Sequence, residues 1–155
     1  MSREAIAGVI ILGLLLGLVG CARPVSVDPA PSASSPMCAD VLIALPDVLA
    51  GAERRSTTAQ AARSWGDPPI VLRCGVTPPA PTTDPCVSVT DAQGNTVDWI
   101  TSAEPRPQTT LLTSYGRTPA VELEIPTTYA GELASAILTQ LTPVIADLPQ
   151  DRSCL

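Results

Sequence analysis

Two glutamates come closest to a catalytic pair in this chain. Glu122 and Glu124 alternate with apolar residues, a pattern typical of a strand, so both carboxylates would lie on one face about 7 Å apart. Glycosidases use carboxylate pairs at separations of roughly 5–9.5 Å. Alternating charge is also ordinary on the solvent face of a sheet, so a carboxylate-based glycan hydrolase is kept only as an alternative function.

The sequence lacks the residue types that most other catalytic mechanisms need. The sequence has no histidine and no lysine, which excludes Ser-His-Asp and Cys-His nucleophiles, imidazole bases and Schiff-base chemistry. No C-x-x-C spacing is present to suggest a metal site, and no glycine-rich phosphate loop is present either. We therefore predict a protein that is not an enzyme and that uses no cofactor and no metal.

Four residues suggest a shallow binding surface: Trp65, Asp67, Arg73 and Trp99. A tryptophan beside a rigid Gly-Asp-Pro-Pro turn, with an arginine on the following strand, offers both an apolar and a charged contact. The alternative is that both indoles cap the core, Arg73 pairs with an acid, and Asp67 bonds within its own turn. Arg54, Arg55 and Arg117 are expected to be solvated charges.

Cys21 has a different chemistry, because it ends the sequence Leu18-Val19-Gly20-Cys21. That sequence is a lipobox, in which the cysteine receives a diacylglycerol thioether and the leader is cut just before it. The apolar run from Ala5 to Val19 is shorter than the ~20 residues that a membrane span needs, and it suits a secretory signal. An uncleaved signal anchor is the alternative. Either reading places the folded part outside the cytoplasm, and two acyl chains give a stable anchor.

The number of cysteines agrees with lipidation of Cys21. The chain has 5 cysteines, and assigning one to lipid leaves an even set, which in an exported protein implies disulfides. That set is Cys38, Cys74, Cys86 and Cys154. The residues alone leave all three pairings open: a Cys74–Cys86 bond would close a short Pro-rich loop, and a Cys38–Cys154 bond would join the ends of the domain.

Composition divides the chain into three parts. Residues 1–20 are the signal peptide, residues 21–37 form a disordered Pro/Ser/Ala tether, and residues 38–155 form one disulfide-stapled domain. The net charge of −6 makes nucleic acid an unsuitable partner. Seventeen prolines indicate rigid connections.

The periodicity predicts an α+β fold with one antiparallel sheet of about 4–6 strands. An N-terminal helix from Cys38 to Leu45 and a C-terminal helix would both pack on one face of the sheet. The second helix has apolar residues at i+4 spacing from Tyr129 to Ile145. The predicted strands are residues 70–76, 86–90, 96–101, 109–115 and 120–125, with a weak edge strand within residues 53–62.

Several segments resemble an actinobacterial family of small envelope proteins of unknown function. They are Trp-Gly-Asp-Pro-Pro-Ile-Val-Leu-Arg-Cys-Gly at 65–75, Val-Asp-Trp at 97–99, Tyr-Gly-Arg at 115–117 and Val-Glu-Leu at 121–123. The resemblance covers about residues 38–148. In that family a cysteine near the first helix pairs with the one in the Arg-Cys-Gly strand. Carried over, this implies Cys38–Cys74 and leaves Cys86–Cys154, a second pair in which this chain departs from the family.

Together these features predict a lipoprotein held on the extracytoplasmic side of the cell membrane through diacylglycerol on Cys21. The favoured function is non-enzymatic binding of an envelope protein or another envelope component. The alternatives are the glycan hydrolase and a purely structural lipoprotein. The binding hypothesis requires the indoles of Trp65 and Trp99 to be exposed, and a structure that buries both rings removes the predicted surface.

Overall fold

The computed structural model describes residues 23–102 and 107–154. The elements in chain order are α1 (Pro36–Ala44), β1 (Val48–Leu49), β2 (Ala52–Arg55), β3 (Ala62–Trp65), β4 (Ile70–Val76), β5 (Cys86–Thr90), β6 (Thr96–Thr101), β7 (Thr109–Ser114), β8 (Ala120–Pro126), a 3-10 turn (Thr127–Tyr129) and α2 (Glu132–Ala146). The predicted signal peptide and Cys21 lie outside the described residues. No helix in the described part of the chain is long and apolar enough to cross a membrane.

The eight strands form one antiparallel sheet in the order β1-β2-β3-β4-β8-β7-β6-β5. Each half of the chain forms a four-strand meander, and the last strands of the two meanders, β4 and β8, pair at the centre of the sheet. Their register places Leu72 opposite Leu123 and Arg73 opposite Glu122. The meanders therefore meet along one ladder that carries both an apolar pair and a charged pair.

The predicted architecture of four to six strands with both helices on one face is wrong. The structure is mostly sheet, with eight strands and two short helices. The extra strands arise between residues 48 and 65, where β1 and β2 are too short to show alternation in the sequence. Ala50 and Gly51 both have positive φ, at 48° and 82°, and they turn the chain from β1 into β2 as a hairpin.

The larger of two apolar clusters in the described part of the chain fills the centre of the molecule. Leu72 and Leu123 of the central strands and the indoles of Trp65 and Trp99 are fully buried in it. Helix α1 contacts β4, whereas α2 contacts β5 and β6. The i+4 stripe of α2 reaches this cluster through its later members, Ile137, Leu141 and Ile145.

Residues 25–35, here called the N-terminal strap, contact the sheet where a disordered tether was expected. Val25 forms a short parallel bridge with Thr57, and the N–H of Ser32 donates to the carbonyl of Gly75 over 2.8 Å. Ala30 is buried. Because the bonds run mainly through the backbone, the Pro/Ser/Ala composition of the strap gives no sign of them.

Candidate functional site

The predicted surface around the two tryptophans does not exist. Both indole rings are 0% exposed, so the prediction that Trp65 and Trp99 contribute to a binding surface is wrong. The Nε1–H of Trp65 donates to the carbonyl of Pro46 over 2.9 Å. The chain has no phenylalanine, and the two indoles supply the largest side chains of the core.

The two polar members of that predicted set lie in separate places. Asp67 is exposed in the turn between β3 and β4, and its carboxylate lies 3.7 Å from the guanidinium of Arg55. Arg73 is held on β4 by Glu122, to which its Nε donates over 2.8 Å, and its Nη1 donates to the carbonyl of Asp28 in the strap. The structure therefore does not bring Asp67 and Arg73 together with the indoles.

The glutamate pair is also committed to structural contacts. The Glu122 side chain is only 12% exposed and forms an ion pair with Arg73. Glu124 lines a niche of about 180 Å³ beside Arg73, Val71 and strap residues 26–28. An ion pair covered by the strap gives Glu122 a structural role, so no observation favours the hydrolase alternative.

Arg117 corrects the expectation that it is a solvated charge, because it is only 3% exposed. Its guanidinium donates to the carbonyls of Ala146 and Leu148 and, over 2.8 Å, to that of Thr96. Burial lowers the pKa of Arg117, and the nearby carboxylates of Asp98 and Asp147 oppose that shift. Its burial was not predictable from the sequence, because its acceptors are main-chain carbonyls distant in the chain.

The best candidate site is a groove between the two helices, here called the interhelical groove. It encloses about 280 Å³ and is lined by Met37, Asp40, Val41, Ala44, Val144, Asp147 and Leu148. Helix α1 presents the groove because Cys38 and Val41 anchor its inner side in the core. This site was not predicted from the sequence, because α1 was assigned only a packing role.

The groove combines an apolar floor with negative charge. Asp40 projects from α1 and Asp147 follows the end of α2, and no arginine is among the lining residues. Neither carboxylate forms a hydrogen bond or ion pair within the described residues, although Asp147 acts electrostatically on Arg117. Such a surface fits a ligand that carries both apolar and cationic groups.

A second, wider cavity lies beside the bond between Cys86 and Cys154. It encloses about 570 Å³ and includes Ile100, Tyr115 and Arg152 among its lining residues. Its lining contains one carboxylate, that of the loop residue Asp84, whereas the interhelical groove has two. Among the residues that the structure describes, no cluster of three His, Cys, Asp or Glu side chains could hold a metal ion.

The prediction that the domain carries disulfides is confirmed. Cys38 is bonded to Cys74 with a Cα–Cα distance of 5.5 Å, and Cys86 is bonded to Cys154 with a distance of 6.1 Å. These are the two bonds that the family resemblance implies. The first joins α1 to β4, and the second joins the edge strand β5 to the C-terminal segment.

A family model matches almost the whole chain. The family is described as a protein of unknown function (DUF3515), and the match covers residues 5–153. No curated protein and no solved structure matches the sequence. The match supports a family of unknown function, while the actinobacterial origin and its motif stay predictions.

Proposed function

The chain belongs to the DUF3515 family of proteins of unknown function, and on that premise we propose that it is a cell-envelope lipoprotein. Diacylglycerol on Cys21 anchors it on the extracytoplasmic side of the membrane. Its folded domain binds another envelope component through the interhelical groove and catalyses no reaction.

The observation that carries the anchoring proposal is the pairing of the cysteines. Cys38, Cys74, Cys86 and Cys154 are all consumed in two disulfides, and the fifth cysteine is the one that ends the lipobox. Stable disulfides require an oxidising compartment, which supports export. An odd cysteine in an exported chain needs a separate fate, and lipidation supplies one.

The strap determines how far the domain can extend from the anchor. Val25 already bonds to Ser56 and Thr58 of the domain, so only residues 22–24 separate Cys21 from the first contact. Four Cα steps span at most about 14 Å when fully extended. A lipid on Cys21 would therefore hold the β2–β3 side of the domain close to the membrane surface.

The interhelical groove supports binding of a basic, amphipathic segment of another envelope protein. Its floor of Val41, Val144 and Leu148 offers apolar contact, and Asp40 and Asp147 offer acceptors for cationic groups. The net charge of −6 would also attract a basic partner at long range.

Mass spectrometry of the native protein extracted from membranes tests the anchor. We expect a mature N-terminus at Cys21 carrying diacylglycerol, and we expect Cys21→Ser to leave the leader uncleaved. A native protein that retains an unmodified Met1 would contradict the anchoring proposal.

Site-specific photocrosslinking in intact cells tests the groove. A photoreactive residue replaces Ala44, which lines the groove, and the matched control replaces Ala130, which is exposed just before α2 at the end opposite the groove. We expect a partner to crosslink at position 44 but not at position 130, and the product should be lost when Asp40 and Asp147 are both changed to Arg. Equal crosslinking at both positions, or none at position 44, would contradict binding through the groove and favour the alternative of a purely structural lipoprotein.

A further inference from the structure

Strand β5 forms an open edge of the sheet. It runs over Cys86–Thr90, lies last in the strand order, and contains no charged residue. Val87, Ser88 and Thr90 are exposed. The opposite edge differs, because β1 has only two residues. Natural sheets usually protect a long edge with lysine, proline or a bulge, and β5 pairs with β6 in unbroken register without any of these.

The hydrogen bonds at the two ends of β5 show which of its main-chain groups point away from the sheet. At one end the N–H of Thr101 donates to the carbonyl of Pro85, and at the other the N–H of Asp91 donates to the carbonyl of Asn95. In an antiparallel ladder, alternate residues bond to the partner strand. Val87 and Val89 therefore bond to β6, and the N–H and C=O groups of Cys86, Ser88 and Thr90 point outward.

Those outward groups have no main-chain partner within the described ranges 23–102 and 107–154. They form a row of alternating donors and acceptors along an exposed strand, which is the surface that β-strand addition uses. An added strand would complete the ladder without any rearrangement of β5.

We propose that this edge binds a second copy of the same chain, so that two sheets join through antiparallel pairing of β5 with β5. A two-fold axis at Ser88 places Cys86 of one copy opposite Thr90 of the other, and each such pair exchanges both main-chain hydrogen bonds. The pairing extends the sheet across the dimer and does not depend on the interhelical groove or on lipidation.

Two features favour a second copy over an unrelated peptide. The strand itself carries no charge, so no pair within its ladder opposes like charges; Asp84 and Asp91 lie beyond its two ends. The same register places Val87, which is 49% exposed, opposite Val89 of the other copy. The dimer thus covers the one large apolar side chain that β5 exposes.

The test uses two differently tagged copies of the full chain, mixed and co-isolated, with sedimentation to give the dissociation constant. Val87→Lys and Val87→Glu each place two like charges at diagonal positions about 7–8 Å apart across the proposed ladder. We expect each variant to weaken dimerisation at least ten-fold. A mixture of the Lys and Glu variants should form a heterodimer at close to wild-type affinity.

Ile43→Lys is the matched control, because Ile43 is an exposed apolar residue on α1, and its dimer should be unchanged. Thr90→Pro provides a second test, because the outward N–H of Thr90 forms no main-chain bond to β6 and the substitution costs β5 only the exposed hydroxyl contact with Thr96; this variant should also lose the dimer while keeping the far-ultraviolet circular dichroism of the wild type. A wild-type chain that is monomeric, or a dimer that survives all three β5 variants, overturns the proposal. A monomer that captures an extended peptide from a different protein overturns it as well.

Discussion

The guanidinium of Arg117 donates a 2.8 Å hydrogen bond to the carbonyl of Ala146, the last residue of helix α2. The last turn of that helix contains no basic residue of its own, so its final carbonyls need donors from elsewhere. Arg117 supplies them from the loop between β7 and β8, and the same side chain also bonds Thr96 at the start of β6. One side chain therefore links the C-terminal helix to the sheet.

Replacing Arg117 with methionine should destabilise the domain by about 2–4 kcal/mol, because several buried carbonyls would lose their donor. Methionine keeps much of the aliphatic volume, so the effect isolates the hydrogen bonds. Urea unfolding with the disulfides intact measures the free energy. Arg54→Met is the control: Arg54 is half exposed and pairs with Asp47, so its loss should cost less than about 1 kcal/mol. Equal costs for the two variants would contradict the role of Arg117.

The two tryptophans should respond differently to replacement by phenylalanine. The Nε1–H of Trp65 bonds the carbonyl of Pro46, whereas the buried Nε1 of Trp99 has no hydrogen-bond partner among the described residues. Trp65→Phe loses both volume and a hydrogen bond, so it should cost about 1 kcal/mol more than Trp99→Phe. Thermal unfolding of the two variants, read by circular dichroism, measures the difference. The reverse order would show that packing around Trp99 outweighs the hydrogen bond of Trp65.

Side-chain alternation predicted several strands at their observed positions. The predicted strand at residues 70–76 is β4, and those at 86–90 and 96–101 are β5 and β6. The parts that the sequence did not reveal depend on the backbone instead. The β1–β2 hairpin rests on two positive φ angles, and the strap rests largely on main-chain hydrogen bonds to Ser56, Thr58 and Gly75. Neither the hairpin nor the strap produces a periodic pattern of apolar residues in the sequence.

The candidate site illustrates a second limit of sequence reasoning. Tryptophan and arginine serve equally well in a core and in a binding surface, so residue type alone could not separate the two roles. Trp65 and Arg117 are buried here, whereas Ile43, an aliphatic residue, is 82% exposed. Only the position of α1 relative to the core determines which of its faces is free.

The two disulfides should differ in their sensitivity to reductant in the native state. Cys38 and Cys74 are fully buried, whereas Cys86 and Cys154 are half-buried and line the wide cavity. Limited reduction followed by alkylation and mass spectrometry should therefore label Cys86 and Cys154 first. Chain-entropy arguments give each bond about 4 kcal/mol, so their removal should lower stability by similar amounts despite different accessibility. Simultaneous labelling of all four cysteines would indicate that reduction requires global unfolding.

Asp91 makes the free energy of unfolding of the domain depend on pH. Burial raises the pKa of Asp91, but hydrogen bonds from the Asn95 side chain and from the N–H groups of Asn95, Gln93 and Gly94 outweigh it and leave that pKa below its ordinary value. The ionised form is therefore favoured in the folded state. Its stabilisation is present above pH of about 4 and declines as the pH falls through the folded-state pKa.

Asp91→Asn should remove the stabilisation by the ionised carboxylate. The difference in unfolding free energy between wild type and variant should therefore shrink as the solution is acidified below pH of about 4. Urea unfolding at a series of pH values measures this difference. Asp67→Asn, at an exposed position, is the matched control. A constant difference across the acid range would show that the Asp91 carboxylate is not the titrating group.

Gly75 determines whether the N-terminal strap can lie on the sheet. It has a φ of 92°, and a Cβ at this position would lie 2.5 Å from the backbone carbonyl of Ser32. Gly75→Ala should therefore combine backbone strain with displacement of the strap, costing about 3 kcal/mol in total. Limited proteolysis should then cut within residues 25–35 much faster than in the wild type.

Gly94 provides the comparison that separates these two effects. Its φ of 89° is nearly the same, but a Cβ there would meet nothing within 4 Å. Gly94→Ala should show only the strain, about 1–2 kcal/mol, with the strap still protected from protease. If both variants leave the strap equally protected, the contact between Ser32 and Gly75 does not hold it. If the strap is already cut rapidly in the wild type, residues 25–35 act as the flexible tether that their composition predicts, and the anchor no longer holds the domain near the membrane.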